Sequence, residues 1–162
     1  MTTQKPIYKM RTGFNLLLIA VLLCSACGAK IIRGASPLVR MTELSQQDNT
    51  LSLQLSMRNL NGVDLDIQSI DLRLTVNESE DELFVYNGPV DENIVANGTE
   101  SWSVEIKESE TSRELLNSLE GGDINSLPYT LKGTIISTDD GSLRFEYEGH
   151  IYPVPGKPGY FR

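Results

Sequence analysis

Leu51-Ser52-Leu53-Gln54-Leu55-Ser56-Met57-Arg58 alternates apolar and polar side chains at every step. A period of two is that of an extended strand with one face on a core and the other toward water. The alternation returns in Ile70, Leu72, Leu74 and Val76, in Trp102, Val104 and Ile106, and in Leu143, Phe145 and Tyr147. Residues 131–136 are also strand-like. Asn61-Gly62, Asn87-Gly88, Asn97-Gly98 and Asp140-Gly141 stand between the runs. Asn and Asp tolerate positive φ and Gly adopts it freely, so each pair is expected to turn the chain. Inside the second long strand the apolar parity slips, from Val63, Leu65 and Ile67 to Ile70 and Leu72. One extra residue near Gln68-Ser69, a β-bulge, accounts for the slip.

One segment departs from this pattern. Thr111-Ser112-Arg113-Glu114 fits a capping box, Leu115, Leu116 and Leu119 follow at helical spacing, and Gly121-Gly122 ends the run. A helix of about two to three turns is expected there, closing one end of the core. Short strands separated by turn signals, with a single helix, predict an all-β chain folded as an antiparallel β-sandwich. No repeat is found at solenoid or propeller periods.

Ahead of the strands the sequence has another character. Residues 1–26 hold Lys5, Lys9 and Arg11 and no acid. An apolar run, Phe14-Asn15-Leu16-Leu17-Leu18-Ile19-Ala20-Val21-Leu22-Leu23, follows the charges. As a helix it spans about 15 Å, half of a bilayer core of about 30 Å, which suits a secretory signal and not a mature membrane span. Then comes Cys24-Ser25-Ala26-Cys27-Gly28, with small residues before Cys27. This resembles the lipobox of bacterial lipoproteins, with Cys24 where Leu is usual. The resemblance implies cleavage before Cys27 and a diacylglyceryl group, with palmitate, on its thiol. Two or three acyl chains hold a protein firmly where one does not. The expected organisation is a signal peptide over 1–26, a lipidated tether over 27–37, a sandwich over 38–152 and a Pro/Gly-rich tail over 153–162. Gly28, not Asp, follows the cysteine, which by resemblance to sorted lipoproteins implies the outer membrane, facing the periplasm, if the host is Gram-negative.

Losing the three positive charges of residues 1–26 takes the net charge from −8 to −11. Such a surface repels nucleic acid, so no nucleic-acid partner is expected. The cysteines, Cys24 and Cys27, cannot build a disulfide framework in the mature domain.

The run from Leu51 to Asn77, with Arg58-Asn59-Leu60-Asn61-Gly62 at its turn, resembles late-embryogenesis-abundant (LEA) type 2 proteins, whose domain is also called the WHy domain. In that family an alternating strand runs into Asn-Pro-Asn; here Asn59, Leu60 and Asn61 hold those places, with Leu60 for the proline. Ala96-Asn97-Gly98-Thr99 before the Trp102 strand resembles a later part of the same pattern. The resemblance covers about residues 36–150. It implies an immunoglobulin- or fibronectin-III-like sandwich, a structural role for Asn59, Asn61 and Gly62, and service in desiccation, cold or envelope stress.

Residues that could carry chemistry are few. Nucleophilic catalysis needs a nucleophile with a base beside it. His150 is the only histidine, and no serine stands in Gly-x-Ser-x-Gly. Asp139-Asp140-Gly141-Ser142 and Glu78-Ser79-Glu80-Asp81-Glu82 are acidic but lack the ligand spacing of an EF-hand loop. Gly156-Lys157 sits in no phosphate-loop spacing, and Pro158 stands where that loop needs a hydroxyl. Asn77-Glu78-Ser79 and Asn97-Gly98-Thr99 fit the glycosylation pattern and mark exposed loops. No catalytic residue, metal ligand or cofactor is assigned. The expected function is a membrane-anchored, non-enzymatic binding or protective domain. The alternatives are lipid or apolar-ligand binding or transfer, with the helix as a lid, and an accessory subunit of an envelope complex, contacted through the tail. Tyr160 and Phe161 are costly to leave in water, which favours a tail lying along its own sandwich. The alternation also assigns Trp102 to the core.

Overall fold

The computed structural model describes residues 33–76 and 81–162. The leader, Cys27 and residues 77–80 lie outside the described residues. The alternating segments form strands β1 (Leu38–Gln47), β2 (Thr50–Arg58), β3 (Leu65–Val76), β4 (Asp81–Ile94), β5 (Thr99–Lys107), β6 (Leu127–Ser137), β7 (Gly141–Ile151) and the short β8 (Tyr160–Phe161). A single helix among the described residues, α1 (Glu110–Gly121), joins β5 to β6. Two four-stranded sheets result, ordered β5-β2-β1-β8 and β4-β3-β6-β7, with every pairing antiparallel. With β1 to β7 labelled A, B, C, C′, E, F and G, the sheets read E-B-A and C′-C-F-G. That is the strand order of an immunoglobulin- or fibronectin-III-like sandwich, as expected.

The core is the set of residues that the period of two selects. Leu51, Leu53, Leu55 and Met57 of β2 face Ile70, Leu72, Leu74 and Val76 of β3, all at most 1% exposed. Each such side chain contributes about 1.5–3 kcal/mol by leaving water. The expected bulge is present: the register of β3 shifts between Ile67 and Ser69, with Gln68 as the extra residue against β6, while against β4 two residues, Val90 and Asp91, stand opposite Gln68. A second irregularity places Phe84 opposite Leu74 but Glu82 opposite Thr75. The residue stepped over, Leu83, is buried together with its neighbour Phe84, which a regular strand would send to opposite faces.

Three of the four pairs read as hairpin turns are corrected, Asn97-Gly98 among them, because it links β4 to β5 in the other sheet. Asn87-Gly88 lies inside β4, with Gly88 opposite Ile70. A Cβ there would meet the Tyr86 hydroxyl oxygen at 2.7 Å, so this glycine makes room for an aromatic ring. Asn61-Gly62 closes no hairpin and carries the chain from β2 in one sheet to β3 in the other. The β1–β2 hairpin instead turns at Asp48 and Asn49, with φ of 48° and 61°. Both are residue types that accept the left-handed region, which a two-residue turn of this kind needs twice.

The helix begins two residues before the proposed capping box. Ser109 is the N-cap, and its Oγ accepts from the Ser112 backbone N–H. The expected stop holds, since Gly122 closes the helix at φ 82°, where a side chain would be strained. Leu116 and Leu119 face the core. Buried Ser112 donates its Oγ proton to the Leu83 carbonyl at 2.8 Å, so the β4 bulge is also where the helix attaches.

Candidate functional site

The two asparagines of the LEA-like motif are both fully buried. Asn59 Nδ2 donates to the carbonyls of Val63, Ile94 and Val95 at 2.8, 3.1 and 3.3 Å. Its Oδ1 accepts from the Asn61 backbone N–H at 2.9 Å. Asn61 turns the other way, toward the chain entering the sandwich. Its Nδ2 donates to the Ala35 carbonyl at 3.0 Å, and its Oδ1 accepts from the Ala35 N–H at 2.8 Å. Backbone bonds from Asn97 to the Asn61 carbonyl and from Asn59 to the Gly98 carbonyl finish the knot. Three segments distant in sequence thus meet in one network that engages the donor and the acceptor of both amides. Gly62 is exposed and outside the hydrogen-bonded knot.

A second polar cluster sits at the far end of β2, which Thr50 begins and Arg58 finishes. The Glu108 side chain is 2% exposed and ion-paired with Arg113 Nε at 2.9 Å. Gln46 Nε2 also donates to this carboxylate, while Arg113 reaches on to Asn49 Oδ1 at 2.8 Å. The cluster binds the β1–β2 hairpin to the first turn of α1. Removing Arg113 would leave the buried Glu108 carboxylate without its charge partner. Sequence reasoning did not single out Glu108, although a signal existed: it falls on the apolar parity of Val104 and Ile106.

The flanks of the sandwich differ. On one, the tail folds back: Phe161 pairs with Leu44 and Tyr160 with Ser45, and Tyr152 and Arg162 exchange backbone hydrogen bonds. Phe161 is fully buried, so the tail covers the β1 edge of its own sandwich. Near this flank the Arg40 guanidinium lies 5.5 Å from the centre of the Tyr147 ring. Burial pushes the neighbouring Tyr129 phenol up to about 12; Tyr147 adds to the rise and Arg40 opposes it.

On the opposite flank the edge strands β4 and β5 leave a groove of about 390 Å³ between the sheets. Tyr86, Pro89, Val90 and Glu92 line it from β4, and Trp102, Val104 and Glu105 from β5. Tyr86, Val90 and Glu92 share the parity of buried Ile94, so the groove is the mouth of the sandwich interior on this side. Trp102 packs against the core as expected, but its Nε1 is buried without an acceptor.

The remaining sequence candidates stay apart from one another. His150 is exposed and stacks on Tyr152 with ring centres 6.2 Å apart. Asp140 lies in the β6–β7 turn, its N–H directed at Ser137 Oγ at 3.4 Å. Among the described residues no group of three His, Cys, Asp or Glu side chains is placed to hold a metal. The first three residues of the acidic stretch at Glu78 lie outside the described residues. A shallow depression of about 550 Å³ on the outer face of the second sheet lies among Arg73, Lys132, Arg144 and Glu146. Three of these are ion-paired, Arg73 to Glu82 at 3.0 Å and Lys132 to Glu146 at 3.2 Å, as on an ordinary solvated face.

No family model matches the chain, and no curated protein matches it. Solved structures do resemble it. A solution structure of an Arabidopsis thaliana protein shares 13% identity over 82% of this chain and 91% of its own, at a TM-score of 0.49. The solution structure of a protein described as a candidate LEA protein shares 13% over 98% of both chains, at 0.47. A crystal structure of an Archaeoglobus fulgidus protein shares 12% over 74% of this chain and 98% of its own, at 0.45. Likenesses of this degree assign no function, and the fold rests on the strand order itself.

Proposed function

We propose that this chain is a lipoprotein of the bacterial cell envelope whose sandwich binds or shields envelope components and catalyses no reaction. The use made of Asn59 and Asn61 carries the reading. These are the residues on which the LEA type 2 resemblance rests, and every hydrogen bond they make serves the fold. A motif consumed in this way stabilises a scaffold and leaves the edges and loops to meet a partner. The knot also holds Ala35, so the chain that follows Cys27 enters the sandwich at a fixed point.

In this reading the lipid on Cys27 anchors the domain, at the outer membrane facing the periplasm if the host is Gram-negative. The role is protection or organisation of the envelope under drying, cold or envelope stress. A strain lacking the gene is expected to survive drying and freezing less well, with recovery when the chain is restored; unchanged survival would overturn the role. The helix is fastened through Ser112 to Leu83 and through Arg113 to Glu108, which weighs against its opening as a lid over an apolar ligand. Such a lid would have to break a buried ion pair at each opening.

A further inference from the structure

We propose that the β5 edge and the groove beside it accept an extended, basic peptide segment, which adds a strand to the β5-β2-β1-β8 sheet. This deepens the reading of the domain as a binding module and rests on it.

The first argument is topological. The sheet has two edges, and the chain itself covers one of them with β8. The other, β5, runs for nine residues in unbroken register with β2, and among the described residues no strand pairs with its free side. Edge strands are ordinarily blunted by proline, bulges or brevity. The neighbouring edge β4 shows such devices, with Pro89 and a register shift near the left-handed Asp91. Pro is absent from β5, and so is any register shift. A regular exposed edge is the template on which strand addition operates, main-chain bonds supplying affinity and side-chain pockets specificity.

The second argument is chemical. Glu92 and Glu105 line the groove together with Tyr86 and Trp102. Acidic and aromatic residues gathered along one groove favour a Lys or Arg side chain, through charge and through the ring quadrupole. Glu100 adds a further acid on the same strand, and the chain as a whole carries −8. These charges disfavour a second copy of β5 as occupant and favour a basic one.

Trp102 is the only tryptophan in the chain, so its emission reports on the groove directly. The full chain in detergent micelles is titrated with a synthetic peptide of about ten alternating Lys and Val residues, long enough for a strand. A saturable change in Trp102 emission is expected, weakened by added salt and by roughly tenfold in an E92Q/E105Q double variant. Two N-methylated peptides test the strand geometry with the protein untouched. Methylating alternate residues on one edge abolishes binding, and methylating the other set leaves it, because only one edge of an added strand bonds to the sheet. Equal binding of a Glu/Val peptide, or indifference to both methylation patterns, would overturn the proposal. So would an emission change that follows protein concentration instead of peptide, since a second copy would then occupy the edge. Failure of this titration leaves the survival phenotype standing, and failure of that phenotype leaves the titration standing.

Discussion

Asn59 shows how much of a fold can hang on one amide. Its Nδ2 serves three carbonyls and its Oδ1 one N–H, all of them inside the protein. Alanine there strands these groups without water, so Asn59→Ala is expected to cost about 2–4 kcal/mol, read as a lower urea midpoint at unchanged slope. Asn59→Asp keeps the acceptor and loses the donors, and should recover little. Tyr129 gives a test in pH. Its folded pKa of about 12 lies above the ordinary 10.0, so its contribution is fully present below pH 10 and falls away as the pH rises through about 12. Urea melts from pH 9 to 11.5 should therefore show a steeper alkaline loss in the native chain than in Tyr129→Phe. Both residues illustrate what sequence can and cannot reveal. Asn59 stood out as a motif but its partners did not, since Ile94 and Val95 lie far along the chain. Tyr129 was not singled out, because its surroundings come from β7 and β1.

At the scale of elements, periodicity located β2, β3, β5, β6 and β7, and singled out neither β1 nor β4, whose buried faces are broken by bulges or polar residues. It located β2 and the bulge at Gln68, because a slip in parity is visible without knowing the partner strand. It misjudged Asn87-Gly88, because a turn propensity is local and weak, whereas β4 is held along its length by pairing with β3. The helix start moved from Thr111 to Ser109 for a similar reason: Ser109 Oγ takes the Ser112 N–H while Ser112 Oγ is tied to the Leu83 carbonyl of distant β4, which sets the first turn ahead of Thr111. The tail behaves as an element, although its strand holds two residues. Ending the chain after Tyr152 removes buried Phe161 and bares the β1 edge at Leu44 and Ser45. A loss of about 3–5 kcal/mol is expected, the cost of deleting a buried aromatic, together with a greater tendency to aggregate. If the truncated chain melts like the intact one and only loses a partner in pull-down, the tail is a docking arm instead.

For the whole molecule the decisive residue is one outside the described structure. The proposed anchor predicts that Cys27→Ser moves the chain from the membrane fraction to the soluble one and abolishes incorporation of labelled palmitate. The folded domain, measured by its urea midpoint, should be indifferent to that change. Retention in the membrane fraction by Cys27→Ser would show that something other than acylation holds the chain there.

The alternation beginning at Leu51 determined by itself that this protein is a two-layer β structure, because a period of two leaves a strand one way to hide its apolar face. The charge block, short apolar run and Cys27 carry the proposed anchor on equally local grounds. Only the tertiary structure decided which edges are closed. The tail covers β1 and, among the described residues, no strand covers β5; a strand cannot announce its neighbours, since hydrogen-bonding capacity along a backbone is the same whatever the sequence. Only folding, likewise, turned Asn59 and Asn61 from a motif into a knot and made Glu108 a buried ion. Those roles depend on segments brought together from far along the chain.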